Sequence, residues 1–181
     1  MTLFVITGAS GSGKTAIAQD IQKGDWWTEC ISHTSRNKRE GEKNGETYYF
    51  ISEKQFLEFD KMGAFVEQVV YDGNYYGISK DEINRARDEH ENVFIIADYH
   101  GYKQIKEQYP KSVGIFLYMS KEDCLANMLL RGDSFDNAVA RISTYEEELG
   151  NRDKYDYVVK NVRDRQYCTE NVLINIIKQY S

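Results

Sequence analysis

The sequence is poor in residues that staple, break or ligate. It holds one proline, Pro110, three cysteines and three histidines in 181 residues. Cys30, Cys124 and Cys168 lie far apart and are odd in number, which excludes a disulfide framework and a cysteine zinc pattern. His33, His90 and His100 are equally scattered and have no metal-ligand spacing. No apolar run approaches the roughly 20 residues that span a bilayer. The opening MTLFVITG has no basic n-region and too short an apolar run for a secretory signal, so a cytoplasmic location is expected. Low-complexity segments, internal repeats and linkers are also missing, which points to one compact unit. The formal charge is −6, a poor balance for binding nucleic acid or anionic membranes, and neither is expected as a partner. A bound phosphate must then be held by a local basic cluster. Nothing in the chain sets an oligomeric state.

What is present is an alternation of strand-like and helix-like segments. Leu3–Thr7 reads as a strand, and 14–23 as a helix with Ile17, Ala18 and Ile21 inward. A helix over 52–60 and a strand over 64–70 follow. Ser79 and Glu82 have capping-box spacing, as do Ser120 and Asp123, so a helix is expected after each serine. NVFIIA and SVGIFLYM read as buried strands, with a helix over 101–109 between them. One helix is expected to run from the polar break RGDSFDN to about Gly150, then a strand over 155–159 and a closing helix over 169–180. Alternation at both ends argues an α/β fold, with a parallel sheet covered by helices on both faces. The stretch from about 33 to 78 breaks the alternation and is expected to form an inserted β-rich lobe. In it, GNYYG (73–77) looks like a turn, because glycines and Asn74 flank two tyrosines.

GASGSGKT, residues 8–15, fits G-x-x-x-x-G-K-S/T at every fixed position, after a strand and at the start of a helix. Glycines let main-chain N–H groups turn toward phosphates, and the helix N-terminus adds positive potential. Gly8, Ala9, Ser10, Gly11, Ser12, Gly13, Lys14 and Thr15 are therefore candidate ATP-binding residues. Lys14 is expected at the β and γ phosphates, and the Thr15 hydroxyl on Mg²⁺.

The next polar segment, SHTSRNKREGEKNGETYYF (32–50), sets Arg36 and Arg39 three apart, with Glu42 and Tyr48 nearby. Arginine forks hold phosphate oxygens in fixed geometry. Two of them beside a phenol suit a phosphomonoester. Taken alone, RNKRE reads as a solvated charged loop.

With GASGSGKT, the arginine-rich segment, F-V-E (65–67) shortly before GNYYG (73–77), the strand ending at Asp98, RGDSFDNAVAR and YDYVVKN in this order, the sequence resembles the guanylate kinase family over nearly its whole length. The resemblance implies a P-loop NTPase-type core (1–32, 79–120 and 151–181), a nucleoside monophosphate-binding lobe (about 33–78) and a helical lid (about 121–150). It implies transfer of the ATP γ-phosphoryl group to a nucleoside monophosphate, GMP or dGMP, with Mg²⁺. Ser32, Arg36, Arg39, Tyr48 and Tyr76 would hold the acceptor phosphate, with Glu42 beside them. Glu67 would accept hydrogen bonds from guanine N1 and the 2-amino group, and Asp98 would lie near the acceptor nucleoside. Arg131 and Arg141 resemble lid arginines that join Lys14, Arg36 and Arg39 in catalysis. Asn161 matches an asparagine near the ATP base. Without the resemblance, Glu67 reads as a polar residue on a half-exposed strand.

The sequence departs from the family pattern at two telling places. Ile96 stands where the first acid of a D-x-D strand end is usual. Ile78 stands where a serine or threonine contacts guanine O6, and Ser79 offers the next hydroxyl. These departures leave open a kinase for another monophosphate, a deoxynucleotide or a sugar phosphate. A non-catalytic guanylate kinase-like interaction module is the third reading, which the intact Lys14 and Thr15 oppose.

Overall fold

The computed structural model describes residues 2–71 and 73–180. The chain opens with β1 (Thr2–Thr7), the glycine-rich loop and α1 (Lys14–Lys23). Short strands β2 (Thr28–Glu29) and β3 (His33–Thr34) lead through the charged loop to β4 (Tyr49–Phe50) and α2 (Glu53–Lys61). The antiparallel pair β5 (Phe65–Tyr71) and β6 (Asn74–Ser79) runs straight into α3 (Lys80–Glu89). Alternation then resumes with β7 (Asn92–Ile96), α4 (Tyr99–Gln108), β8 (Val113–Tyr118) and α5 (Lys121–Leu130). Short helices α6 (Phe135–Ile142) and α7 (Tyr145–Gly150) precede β9 (Tyr157–Lys160) and α8 (Gln166–Ile177).

The larger sheet has the order β2-β7-β1-β8-β9, and every pairing in it is parallel. Its central strands are buried on both faces, which is why LFVI and VFII read as unbroken apolar runs. Phe4 and Ile6 of β1 pack with Ile17 and Ile21 of α1 and Leu173 of α8. Leu3 and Val5 point the other way, into a cluster with Ile83 of α3 and Ile105 of α4. The expected covered parallel sheet is therefore present. A third cluster joins Ala9 of the glycine-rich loop to Met119, Cys124, Met128 and Tyr145. It seats the loop on α5 and α7.

The second sheet has the order β4-β3-β6-β5, drawn from the segment where alternation fails. GNYYG differs from its sequence reading. Only Gly73 of it lies in a turn, and Asn74–Ser79 is a strand paired with β3 and β5. Strand geometry then sends Tyr75 and Tyr76 to opposite faces. Tyr75 stacks near Phe56 of α2, with ring centroids 5.3 Å apart.

Two other expectations are corrected. The helix expected to reach Gly150 is broken at Ser143 and Thr144. The Ser143 hydroxyl bonds back to Ala140 O (2.6 Å), and the Thr144 hydroxyl is shared between Arg141 O (3.1 Å) and Glu148 Oε1 (2.8 Å), an alternative to the helical ladder. Ser79 does cap α3, accepting from Glu82 N at 3.1 Å. Glu82, however, does not return the bond expected of a capping box. Its buried carboxylate accepts from Ile31 N (2.7 Å), the Tyr49 hydroxyl (3.1 Å) and two Arg85 nitrogens (2.8 and 2.7 Å). It thus knots α3 to the start of the second sheet. The reciprocal box forms instead at Ser52 and Gln55, at the start of α2.

Candidate active site

The glycine-rich loop folds around its own main chain. Gly8 has φ +139° and Gly13 φ +89°, conformations that side chains resist. A Cβ on Gly8 would stand 1.9 Å from Leu117 O, and one on Gly13 would stand 2.5 Å from Asn161 Nδ2. Asn161 braces the loop from below. Its Nδ2 donates to Ser12 O at 2.9 Å, and its Oδ1 accepts from Thr169 at 3.1 Å. The Lys14 ammonium donates to Gly8 O (2.5 Å) and Ala9 O (2.9 Å). Burial lowers its pKa to about 8, with Glu148 opposing the shift.

In front of the loop lies a cavity of about 470 Å³ bounded by both sheets and α7. Gly8, Ser10 and Lys14 line one end, and Ser32, Arg36, Arg39, Tyr48, Glu67 and Tyr76 line the other. Asp98, at the tip of β7, and Arg141, on α6, lie on the walls between. The topology accounts for this gathering. The loop and Asp98 follow neighbouring parallel strands, β1 and β7. Thr34 of β3 pairs with Tyr76, and Val69 of β5 pairs with Tyr76 from the other side.

At the far end, Arg36 is held before any ligand arrives. Its guanidinium donates twice to Glu42, at 3.0 and 2.6 Å, and lies over the rings of Tyr48 and Phe50 at 5.6 and 5.7 Å. Glu42 also accepts from Arg39 N at 2.7 Å. These bonds, Arg36 first, hold the Glu42 carboxyl below the usual carboxylate range. Glu67 is buried, and desolvation, then Asp98, raises its pKa to about 7, while the Ile78 N–H pulls the other way. One Asp98 oxygen caps α4, accepting from Gly101 N at 2.8 Å.

Other candidates sit elsewhere. Among the described residues lining the cavity, Ala9, Gly11, Ser12, Gly13, Thr15, Glu42, Ile78, Ser79, Arg131 and Asn161 are not found. Ile78 is fully buried in the cluster beneath the sheet, and only its N–H turns to Glu67. The Ser79 hydroxyl is spent as the α3 cap. Asn161 serves the loop's main chain through its bond to Ser12 O. Arg131 reaches the rim through Asp133, which accepts from it at 3.1 and 2.6 Å and faces Arg141 at 3.6 Å.

The sequence reading missed Tyr99, Glu148 and Tyr155, which also line the cavity. Glu148 was hidden in the run EEE, although its spacing of three from Tyr145 puts the two on one helical face. Burial raises the Tyr155 phenol to about 12. Its ring stacks on Tyr102 with centroids 4.5 Å apart.

Comparison with known proteins agrees with this geometry. The guanylate kinase family model matches residues 1–171. A guanylate kinase of Buchnera aphidicola is 37% identical over 180 residues, covering 97% of this chain and 86% of that protein. One of Aliivibrio fischeri is 33% identical over 165 residues, covering 88% of this chain and 80% of that protein. The crystal structure of guanylate kinase from Anaplasma phagocytophilum superposes with a TM-score of 0.73 at 23% identity, covering 99% of this chain and 86% of that one, a likeness of fold. Read with the glycine-rich loop and the second sheet that faces it, these matches settle kinship: the chain belongs to the guanylate kinase family.

Proposed function

We propose that this protein transfers the γ-phosphoryl group of ATP to GMP or dGMP. One observation carries the reading: a single cavity has the loop lysine, Lys14, at one end and Arg36, Arg39, Tyr48, Tyr76 and Glu67 at the other. That is a donor site and an acceptor site across one gap.

A phosphate oxygen of the acceptor attacks the γ-phosphorus in line, and ADP leaves with the electrons of the broken P–O bond. No covalent enzyme intermediate forms. The chain positions the reactants and offsets the charge on the transferred group. Loop N–H groups and Lys14 hold the donor phosphates. Arg36 and Arg39, with the Tyr48 and Tyr76 hydroxyls, hold the acceptor phosphate. The Glu67 carboxylate accepts from guanine N1 and the 2-amino group, where adenine has no donors. Arg141, with Arg131 behind it, closes over the phosphates as the 121–150 lid moves in and excludes water.

Mg²⁺ fits as an ion that arrives with the nucleotide. Among the described residues no group of three or more His, Cys, Asp or Glu is placed to cage a metal. Mg²⁺ is held in such sites by phosphate oxygens plus one or two protein oxygens. The exposed Thr15 hydroxyl, in the first turn of α1, would be the protein donor. When bound, Mg²⁺ neutralises charge on the transferring phosphates. Among the described residues no helix is long and apolar enough to cross a membrane.

The test is ADP release with Mg·ATP and a panel of GMP, dGMP, AMP, CMP, UMP and ribose phosphates. Turnover with GMP and dGMP is expected. Turnover of AMP with none of GMP overturns the guanine reading, and nucleotide binding without any turnover favours an interaction module.

A further inference from the structure

Glu148 is a cavity acid with no part in the reaction as set out above, yet it is held in place. Tyr145, one helical turn earlier, is buried, and its hydroxyl donates to Met119 O at 2.7 Å. That anchor fixes which face of α7 turns to the cavity. The Thr144 hydroxyl lies 2.8 Å from Glu148 Oε1 and orients the carboxylate. The side chain lines the cavity beside the loop end, where Gly8, Ser10 and Lys14 stand, and it feels the charges of both Lys14 and Asp98.

Among the described residues no ion pair joins Glu148 to a base. The Lys14 ammonium bonds to loop carbonyls instead. The carboxylate is therefore left facing the space in front of the phosphate loop, with Asp98 on the same walls. Two carboxylates beside an anion site repel a bare polyphosphate. The same two attract a polyphosphate that carries a divalent cation, because the nearest added charge is then positive. Ile96, also on the cavity wall, adds no charge of its own.

We infer that Glu148 is a positioning residue that makes the phosphate-loop pocket prefer the metal complex of a nucleoside triphosphate over the bare triphosphate. This inference rests on the nucleotide-binding reading above. It assigns Glu148 the sorting of the donor before any transfer takes place.

Titrating the protein with ATP in EDTA and with Mg·ATP tests it, with dissociation constants read by calorimetry. The wild type is expected to bind Mg·ATP more tightly. In Glu148→Gln, which keeps an acceptor for Thr144, bare ATP binds more tightly and Mg·ATP more weakly. The ratio of the two constants shrinks by about tenfold, the scale of one charge at short range in a partly solvated site. Glu147→Gln, one residue away, leaves the ratio unchanged. A Glu148→Gln ratio equal to that of the wild type overturns the inference. So does an equal loss for both ligand forms, which marks a merely structural role. A wild type that binds neither form sinks the nucleotide reading and this inference with it, whereas tight binding with no preference sinks this inference alone.

Discussion

The donor end of the cavity is made of main chain, and the acceptor end is made of side chains. At the donor end, glycine conformations and one lysine within a single octapeptide present N–H groups and charge, seated through Ala9 on Cys124 and Met128. At the acceptor end, arginine, tyrosine and glutamate side chains reach one spot from the 36–48 loop and from two strands of the second sheet. The first construction tolerates no new atom on the loop. The second tolerates changes of backbone contour so long as each side chain arrives. Failure should accordingly look different at the two ends.

The largest effect is expected at the main-chain end. Gly13→Ala forces a Cβ against Asn161 at φ +89°, and it should cost about a thousandfold in kcat/KM for ATP, as should Lys14→Ala. An alanine variant with normal ATP affinity would break the comparison outright. Next comes Arg36→Ala, which removes a charged fork from the acceptor phosphate and should raise the GMP KM roughly 10- to 100-fold, with ATP affinity kept. Equal losses for both substrates would mean that the two ends are not separate.

The third test uses pH. Glu67 titrates near 7, so GMP affinity should rise about tenfold from pH 6 to pH 8 as the accepting carboxylate forms. Lys14, at about 8, should make ATP affinity fall above that pH instead. Binding curves for the two nucleotides with the same pH slope would contradict both assignments. The linkage to folding has a definite sign. Glu67 binds its proton more tightly folded than unfolded, so stability falls as pH rises from about 4.5 to about 7, and Glu67→Gln removes that slope in thermal melts. The smallest effect separates the two neighbours in GNYYG. Tyr76→Phe should raise the GMP KM about fivefold, the worth of one hydrogen bond, while Tyr75→Phe leaves it unchanged.

The same division explains what could be read from the chain. GASGSGKT announced the donor end because a main-chain site is contiguous in sequence. Parallel strands buried on both faces announced the core, since VFII and LFVI lack alternation. Arg36, Arg39 and Tyr48 share one segment and suited a phosphate locally, but Glu67 and Tyr76 joined them only through family likeness, because no local pattern says which distant side chains meet. Glu148 escaped because three successive glutamates look alike until a helix face is fixed by Tyr145. The α6–α7 break escaped because serine and threonine end a helix through bonds that apolar periodicity does not show. The Ile78 side chain went into the core, where the sequence reading had expected the edge of a guanine.

The antiparallel ladder between β5 and β6 acts as a ruler graduated in steps of two. Tyr76 reaches the cavity and Tyr75 reaches Phe56 only because the pairing with Val69 and Val70 holds its register. A substitution in 74–79 alters one tooth of the ruler. Deleting one residue there slides every tooth to the wrong side, exchanging a cavity-facing phenol for a buried one and turning Ile78 out of its own cluster toward the Phe56 face. Evolutionary drift through this segment should therefore proceed by replacement, with changes of length confined to the charged loop before β4.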